Sequence, residues 1–272
     1  MHMPDDVHKI GVRDLRRRKK AGERIVAITA YDACMARLVD AAGVDLVLVG
    51  DSLGMTMLGY RTTIPVTLAD CLCHTAAVVR GVRRAMVVGD MPFLTSRVST
   101  EDTLRNAGRF LQEAGADAIK LEGGREMAGT ITRLVQAGIP VMGHVGLLPQ
   151  AVLTEGGYRV HGRTSEEAEQ VLDDARAVAE AGAFAVVLEG VTSDLARRIT
   201  ADLPVPTIGI GGGPHCDGQI QVLHDLLGLF EEFIPKHAKR YAELATVIRD
   251  AVAAYGDEVR AGQFPDGEHS FE

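Results

Sequence analysis

The sequence predicts an α/β protein, a closed (β/α)8 TIM barrel with an N-terminal helix. Seven short apolar runs rich in β-branched residues recur along the chain, and an eighth is ambiguous. Segments with helix start and stop signals separate these runs, which is the pattern of βαβ units in a parallel sheet. No linker or change of composition interrupts the 272 residues, a length that one barrel fills. The prediction is therefore a single domain over 1–272 with a C-terminal helical extension.

The predicted strands are apolar on both faces, as expected for parallel strands covered by helices. They are expected over 24–29, 46–50, 85–89, 118–121, 140–143, 185–188 and 206–211. The eighth, over 219–225, fits a helix almost as well as a strand, because the run is too short for periodicity to separate the two.

The predicted helices carry ordinary cap signals. One begins at Ser99 or Thr100, with two acids in its first turn, where they offset the helix dipole. Another begins at Thr164, which forms a predicted capping box with Glu167. Both close on an Ala-Gly pair, and the next strand follows within three residues. The alternation of elements is thus regular along the chain.

A doubly wound open sheet is the alternative fold. Such sheets bind dinucleotides through G-x-G-x-x-G after a strand, with an acid about 20 residues further on. No strand here is followed by that pattern. The glycine-rich stretch at 209–214 also lacks the lysine of a phosphate-binding P-loop. The closed barrel is the better prediction.

Charge and composition exclude several classes of partner. The formal net charge is −8 and the sequence pI is about 5.6, which argues against nucleic acid and anionic membranes. We interpret the basic run 13–24 as the solvated face of the N-terminal helix, which is expected to close the lower end of the barrel. No apolar run approaches the ~20 residues of a membrane span, and the first eleven residues lack the apolar core of a signal peptide. Four cysteines without a disulfide pattern fit a cytoplasmic protein.

Polar side chains follow the strands at the point where each strand ends. They are Asp32, Asp51, Asp90, Glu122, His144, Glu189 and Asp225. In a barrel, all carboxyl ends of the strands surround one mouth, where active sites lie. Asp32 is also well placed as a helix N-cap, and whether Asp32 and Asp225 are functional or structural stays open. Asp51 and Asp90 continue into loops, so an N-cap role does not explain them.

The converging carboxylates predict metal chemistry. Two or three acids without cysteine partners form a hard-oxygen site suited to Mg²⁺. Lys120 lies two residues before Glu122 and faces the same side, where it would offset a substrate carboxylate. A salt bridge within the barrel and a Schiff base are alternative roles for Lys120. Glu189 faces the metal across the mouth as a candidate general base, and for His144 a structural role is an equal alternative.

Several longer motifs are more specific than this geometry. In chain order they are ITAYDA, LVGDSLGM, DMPF, KLEGG, GHVGLLPQ and IGIGGGPHCDGQ. With them the chain resembles the ketopantoate hydroxymethyltransferase family, from about residue 11 to the C-terminal EHSFE. The resemblance implies transfer of a hydroxymethyl group from 5,10-methylenetetrahydrofolate to 3-methyl-2-oxobutanoate. The product is 2-dehydropantoate, a precursor of pantothenate.

The resemblance also implies roles for individual residues. Mg²⁺ is expected between Asp51, Asp90 and Glu122, where the 2-oxo acid also binds. Ser52 and Lys120 are expected to contact the substrate, His144 to line the same pocket and Glu189 to act as the base. The family further implies a homo-oligomer, with a decamer as the suggested size. These assignments agree with the residues that follow the strands.

Two rival functions share the same scaffold. Phosphoenolpyruvate mutase and isocitrate lyase relatives also place acids and Mg²⁺ at barrel ends, but a lyase would be favoured by a cysteine in a KKCGH-like loop, which this sequence lacks. A catalytically inactive binding barrel would be indicated by loss of Asp90, Lys120 or Glu189, and all three are present.

Overall fold

The computed structural model describes residues 7–231 and 234–271. The first six residues, on which the signal-peptide prediction partly rests, lie outside the described residues, as do 232–233 and the last residue of the EHSFE motif. The chain forms two compact units, 1–222 and 223–272. The prediction of a single domain over 1–272 stays a prediction.

Eight parallel strands close into a barrel in the order of the sequence, which confirms the predicted fold. They are β1 (Ile25–Thr29), β2 (Leu46–Val49), β3 (Met86–Asp90), β4 (Ala118–Glu122), β5 (Val141–Gly146), β6 (Ala185–Glu189), β7 (Thr207–Ile210) and β8 (Gly218–Gln221). β8 closes the ring on β1, where Ile25 pairs with Gly218. The ambiguous eighth run is a strand only as far as Gln221.

The helices of the first unit cover the barrel. They are α1 (Val12–Ala21), α2 (Ala33–Ala41), α3 (Leu53–Thr56), α4 (Leu68–Gly81), α5 (Thr100–Gln112), α6 (Ala128–Gln136), α7 (Val152–Glu155), α8 (Ser165–Glu180) and α9 (Ser193–Asp202). Short 3-10 turns lie at Arg125–Met127 and Pro149–Ala151. No helix in the described ranges combines the length and apolar character that a membrane crossing needs.

The predicted helix caps are mostly confirmed. Ser99, not Thr100, is the N-cap of α5, and its hydroxyl accepts the N–H of Asp102. At α8 only half of the predicted capping box forms. The Thr164 hydroxyl accepts the N–H of Glu167, but the Glu167 carboxylate accepts the N–H of Arg163 instead of that of the N-cap residue.

The N-terminal segment seals the amino end of the barrel, as predicted. Ile10 and Leu15 are buried in the same apolar cluster as the inward side chains of the strands. That cluster includes Ile25, Leu46, Met86, Phe184 and Ile208. Burial of these two side chains removes apolar surface of the barrel base from water, which stabilises the docking of α1.

Three aspartates at this end share one arrangement, because each precedes a strand and accepts an N–H of the neighbouring strand. They are Asp45, Asp117 and Asp217, which accept from Val26, Val87 and Thr207 at 3.0, 2.7 and 2.8 Å. Their cationic partners in the N-terminal segment are Arg18, Lys9 and Lys19 respectively. The prediction that the basic run is a solvated face is therefore wrong for Arg18 and Lys19, which pair with acids at the base of the barrel.

Strand β3 packs closely against α5. Gly89 lies in β3, and a Cβ atom at this position would lie 2.4 Å from Cδ1 of Phe110, a fully buried side chain of α5. No real Cβ contact is that short, so only glycine permits this approach of strand and helix.

The second unit contains α10 (Leu223–Leu226), α11 (Leu244–Arg260) and a 3-10 turn at Gly267–His269. Asp225 lies in α10 and not at the end of a strand, so the expectation that it joins the mouth through an eighth strand is wrong. Burial raises the pKa of Asp225, while His237 and Arg240 act in the opposite direction. α11 has no buried residue.

Candidate active site

The carboxyl ends of five strands deliver ionisable side chains to one mouth of the barrel. Asp51 follows β2, Asp90 ends β3, and Lys120 and Glu122 lie in β4. His144 lies in β5 and Glu189 ends β6. All of these side chains are buried except that of Glu189, which is 20% exposed. The structure thus brings together every predicted ionisable site residue of strands β2 to β6.

The ammonium of Lys120 donates hydrogen bonds to both carboxylate oxygens of Asp90. Its Nζ lies 2.8 Å from Oδ1 and from Oδ2 of Asp90, and 4.0 Å from Oε1 of Glu122. Burial lowers the pKa of Lys120, but the charges of Asp90 and Glu122 outweigh burial and raise it. A Schiff base needs a neutral amine, so this environment favours the role of a fixed ammonium ion.

Gln150 is a site residue that the sequence did not reveal. It lies in the 3-10 turn that follows β5, and its side chain is buried in the mouth. Its Nε2 donates to Oδ2 of Asp51 at 2.9 Å and to the carbonyl oxygen of Met91 at 3.0 Å. Its main-chain N–H donates to Oε2 of Glu122 at 3.1 Å.

Tyr31 is a second site residue that was not predicted, and it contacts Ser52. The hydroxyl of Tyr31, a buried residue after β1, lies 2.9 Å from Oγ of Ser52. The neighbouring Asp32 has a different, structural role. Its carboxylate accepts the N–H groups of Cys34 and Met35 as the N-cap of α2, so the structure supports the structural interpretation of Asp32.

His144 lies between two acids from neighbouring strands. Its Nδ1 is 3.7 Å from Oε1 of Glu122, and its Nε2 is 3.3 Å from Oε2 of Glu189. Among the described residues, neither ring nitrogen has a hydrogen-bond partner, nor does Oε1 of Glu122. Burial and the nearby Lys120 lower the pKa of His144, which favours the neutral imidazole.

The mouth holds more carboxyl groups than cationic groups. The carboxyl groups of Asp51, Asp90, Glu122 and Glu189 lie around the ammonium of Lys120. Burial and the charge of Asp90 raise the pKa of Asp51 to about 7. Burial also raises the pKa of Glu122. Raised carboxyl pKa values at a cleft are typical of functional sites and mark a place where a further cation would be stabilised.

The donor set fits a hard divalent cation, although the carboxylates do not form a ready-made cage. Within 7–231 and 234–271, no three His, Cys, Asp or Glu side chains are arranged to hold a metal ion together. Asp90 is bound to Lys120, while one oxygen each of Asp51 and Glu122 is bound to Gln150. The buried Oε1 of Glu122 accepts no hydrogen bond from the described residues, although it lies 4.0 Å from Nζ of Lys120 and 3.7 Å from Nδ1 of His144. Oxygen donors of this kind suit Mg²⁺.

The fold is similar to that of several solved barrels. Phosphoenolpyruvate phosphomutase from Streptomyces platensis subsp. rosaceus aligns with a TM-score of 0.62 at 17% identity, covering 96% of this chain and 92% of the other. Phosphonopyruvate hydrolase, in a complex with oxalate and Mg²⁺, aligns with a TM-score of 0.60 at 16% identity over 97% and 92% of the two chains. At these identities the likeness shows the fold alone.

Sequence relatives are much more similar. The sequence profile of the ketopantoate hydroxymethyltransferase family matches residues 9–267. The 3-methyl-2-oxobutanoate hydroxymethyltransferase of Chloroflexus aurantiacus is 58% identical, covering 96% of this chain and 92% of that protein. The enzyme of the same name from Syntrophus aciditrophicus is 55% identical, covering 97% of each. This chain therefore belongs to the ketopantoate hydroxymethyltransferase family, and it is a transferase enzyme.

Proposed function

We propose that this enzyme transfers a hydroxymethyl group from 5,10-methylenetetrahydrofolate to 3-methyl-2-oxobutanoate. The product, 2-dehydropantoate, is the precursor of pantothenate in this proposal. The observation that carries it is the cluster of buried acids around Lys120 at the barrel mouth, in a chain 58% identical to an enzyme named for that oxo acid.

The proposal includes Mg²⁺, which Asp51, Asp90 and Glu122 would hold. Carboxyl groups outnumber the ammonium of Lys120 in the mouth, and Oε1 of Glu122 accepts no hydrogen bond from the described residues; both observations support this assignment. Phosphonopyruvate hydrolase, which shares the fold, is known in a complex with oxalate and Mg²⁺, a dicarboxylate with the metal. When bound, Mg²⁺ supplies a Lewis acid for the 2-oxo oxygen of the substrate.

The side chains around this position divide the remaining tasks. The ammonium of Lys120 is fixed by Asp90 and offsets the negative charge of the substrate carboxylate. The Ser52 hydroxyl, oriented by Tyr31, contacts the same substrate, as do Asp51 and Asp90. The oxo acid is thereby held with its C3 atom towards the opposite side of the mouth.

Glu189 is the proposed general base. It is the most exposed acid of the cluster, and it ends β6, four strands from β2 around the ring. Its carboxylate would take the C3 proton of the oxo acid. The resulting enolate carbon would form a bond to the one-carbon unit, whose bonds to the folate nitrogens break, so that tetrahydrofolate leaves and water supplies the hydroxyl. His144, whose Nε2 lies 3.3 Å from Oε2 of Glu189, lines the pocket beside that carboxylate.

The proposal also includes a cytoplasmic location and a homo-oligomer, with a decamer as the suggested size. The four cysteines lie within the described residues and are free thiols, as expected in a reducing compartment. The exposed apolar side chains of α11 support self-association. They are Val247, Ile248, Val252, Tyr255 and Val259.

Proton exchange at C3 tests the chemistry directly. We expect NMR in D₂O with Mg²⁺ to show loss of the C3 proton of 3-methyl-2-oxobutanoate with the native enzyme. Glu189→Gln keeps the shape but cannot take a proton, so exchange should fall by about 10²–10⁴-fold. The surface substitution Glu113→Gln, on an exposed acid that follows α5, should leave the exchange rate unchanged.

The outcomes separate the parts of the proposal. Exchange that persists in Glu189→Gln would exclude Glu189 as the base and make His144 the candidate. Exchange independent of Mg²⁺ would exclude the metal. A native enzyme that shows no exchange, with or without the folate, would overturn the proposed reaction.

A further inference from the structure

We propose that Gln150 is a positioning residue that fixes the carboxylates of Asp51 and Glu122 for a divalent cation. The inference rests on the proposed metal site. The ionisable groups of the cluster all lie in strands or directly after them. Gln150 instead lies in a loop, and its side chain enters the cluster from there. It contributes no charge, and it acts on the site through the hydrogen bonds that it donates to the two carboxylates.

The side-chain amide of Gln150 is fully used as a donor. An amide nitrogen carries two hydrogens, and here one is donated to Oδ2 of Asp51 and the other to the carbonyl of Met91. Met91 directly follows Asp90, the last residue of β3. The amide therefore ties the residue after β2 to the end of β3 and holds the Asp51 carboxylate in one rotation.

The main chain of the same residue fixes the second acid. The N–H of Gln150 donates to Oε2 of Glu122, while Oε1 of Glu122 is buried without a hydrogen-bond partner. One residue thus satisfies one oxygen on each carboxylate and leaves the other oxygen outside its hydrogen bonds. Hydrogen bonds of this kind to metal-binding side chains set their orientation, and their loss weakens metal affinity by about 10–100-fold.

The loop that carries Gln150 has one buried part and one exposed part. Gln150 lies at the centre of the turn Pro149–Ala151, and three residues later Leu153 is 73% exposed. The segment between β5 and α8 therefore passes from the interior of the mouth to the surface within one turn. Gln150 is the buried anchor of that segment and couples its position to the two carboxylates.

The test is calorimetric titration of the metal-stripped full-length enzyme with MgCl₂, without substrate. We expect Gln150→Met, which keeps the length of the side chain but has no donor, to bind Mg²⁺ about 10–100-fold more weakly than the native enzyme. Gln150→Asn retains an amide that is one methylene too short to bridge Asp51 and Met91, so it should show the same loss. The control Leu153→Ala alters the exposed part of the loop and should bind like the native enzyme.

Thermal unfolding in EDTA separates positioning from folding. A positioning role predicts weaker Mg²⁺ binding by at least one of the two Gln150 variants at an unchanged metal-free Tm. Native-like Mg²⁺ affinity in both variants would overturn the role of Gln150 and leave the metal site intact. Failure of the native enzyme to bind Mg²⁺ would overturn the metal site and this inference together. If the Gln150 variants lose Mg²⁺ affinity only in proportion to a lowered metal-free Tm, the positioning role of Gln150 would also be overturned.

Discussion

Lys120 shows how a single residue can have both a structural and a chemical task. Taking an ammonium ion out of water is costly, and the cost is offset here by two hydrogen bonds to Asp90 and the charge of Glu122. Lys120 was predicted either to bind the substrate or to form a salt bridge within the barrel. The salt bridge is present, and it holds the ammonium beside the position that the carboxylate of the proposed substrate would occupy.

Removal of this ammonium should destabilise the fold. In Lys120→Met the buried Asp90 carboxylate loses its cation, so we expect the free energy of unfolding in urea to fall by about 3–5 kcal/mol. The control Arg105→Met breaks an exposed pair with Asp102 on α5 and should cost less than about 1 kcal/mol. Equal effects of the two substitutions would show that the Lys120 pair is no stronger than a surface pair.

Sequence analysis identified the ionisable residues at the ends of the strands but missed Gln150, which lies in the turn Pro149–Ala151. Asp90, Glu122 and Glu189 were identifiable because a carboxylate is conspicuous at the end of an apolar strand. Gln150 is uncharged and lies in an irregular segment, where no periodicity indicates which way a side chain points. The contacts that make it part of the site are to residues distant in sequence, so no local pattern contains them.

At the scale of elements, β3 and α5 approach closely at the residue before Asp90, which ends β3 at the mouth. Gly89 directly precedes Asp90, and the Phe110 ring lies against it where a side chain would otherwise be. The aromatic ring thus packs on the outer face of β3 next to the residue that binds Lys120. The sequence predicted the strand and the helix, but it did not reveal this contact.

Gly89→Ala should therefore disturb both the packing and the site. The new methyl group would overlap Phe110, and overpacking of this kind costs about 1–3 kcal/mol of unfolding free energy. Gly108→Ala on α5, where an added Cβ would meet only Oε1 of Gln112 at an ordinary contact distance of 4.0 Å, should instead raise stability by about 0.5–1 kcal/mol. Denaturant unfolding measures both changes. If Phe110→Leu in the Gly89→Ala background restores nothing, the overlap with the ring is not the cause.

The eighth strand shows where element boundaries escaped prediction. The apolar run that begins in β8 continues into α10, and Val222 and Leu223 are as compatible with a helix as with a strand. The boundary at Gln221 depends on pairing with β1 and β7, which the local sequence does not encode. The half-formed capping box at Thr164 has a similar origin, because Glu167 has Arg163 as an alternative donor.

On the scale of the whole molecule, acids are distributed in two different ways. Those at the amino end of the barrel each have a cationic partner from the N-terminal segment. Those at the carboxyl end outnumber their single cation. The net charge of −8 argued against nucleic acid and anionic membranes as partners, but it could not show that carboxyl groups outnumber cations within the buried mouth. Natural proteins tolerate such an excess mainly at functional sites, where it is part of the chemistry.

The proposed assembly is a second property at this scale. Ten chains of 29.1 kDa would weigh about 291 kDa, and sedimentation equilibrium should give that mass for the decamer. Val252→Glu adds a charge to the apolar side of α11 and should lower the mass, because burying an unpaired carboxylate in an interface is costly.

Ala253→Glu is the matched control, since it adds the same charge about 100° further around the helix, away from the apolar side. It should leave the mass unchanged. A native mass of 29.1 kDa would contradict self-association, whereas equal masses of the native protein and Val252→Glu would exclude this side of α11 as the contact.

The pairing of Ile25 with Gly218 has a consequence for synthesis of the protein on the ribosome. The first strand of the barrel pairs with the last strand, so the ring cannot close before β8 has been synthesised. Until then both β1 and β7 present an open edge. Open edges are templates for association with other chains. All the acids of the mouth are translated before that moment, so these side chains exist for some time on an incomplete ring. The period in which this topology exposes the chain to aggregation, and in which a chaperone would protect it, is therefore its synthesis and not its life as a closed barrel.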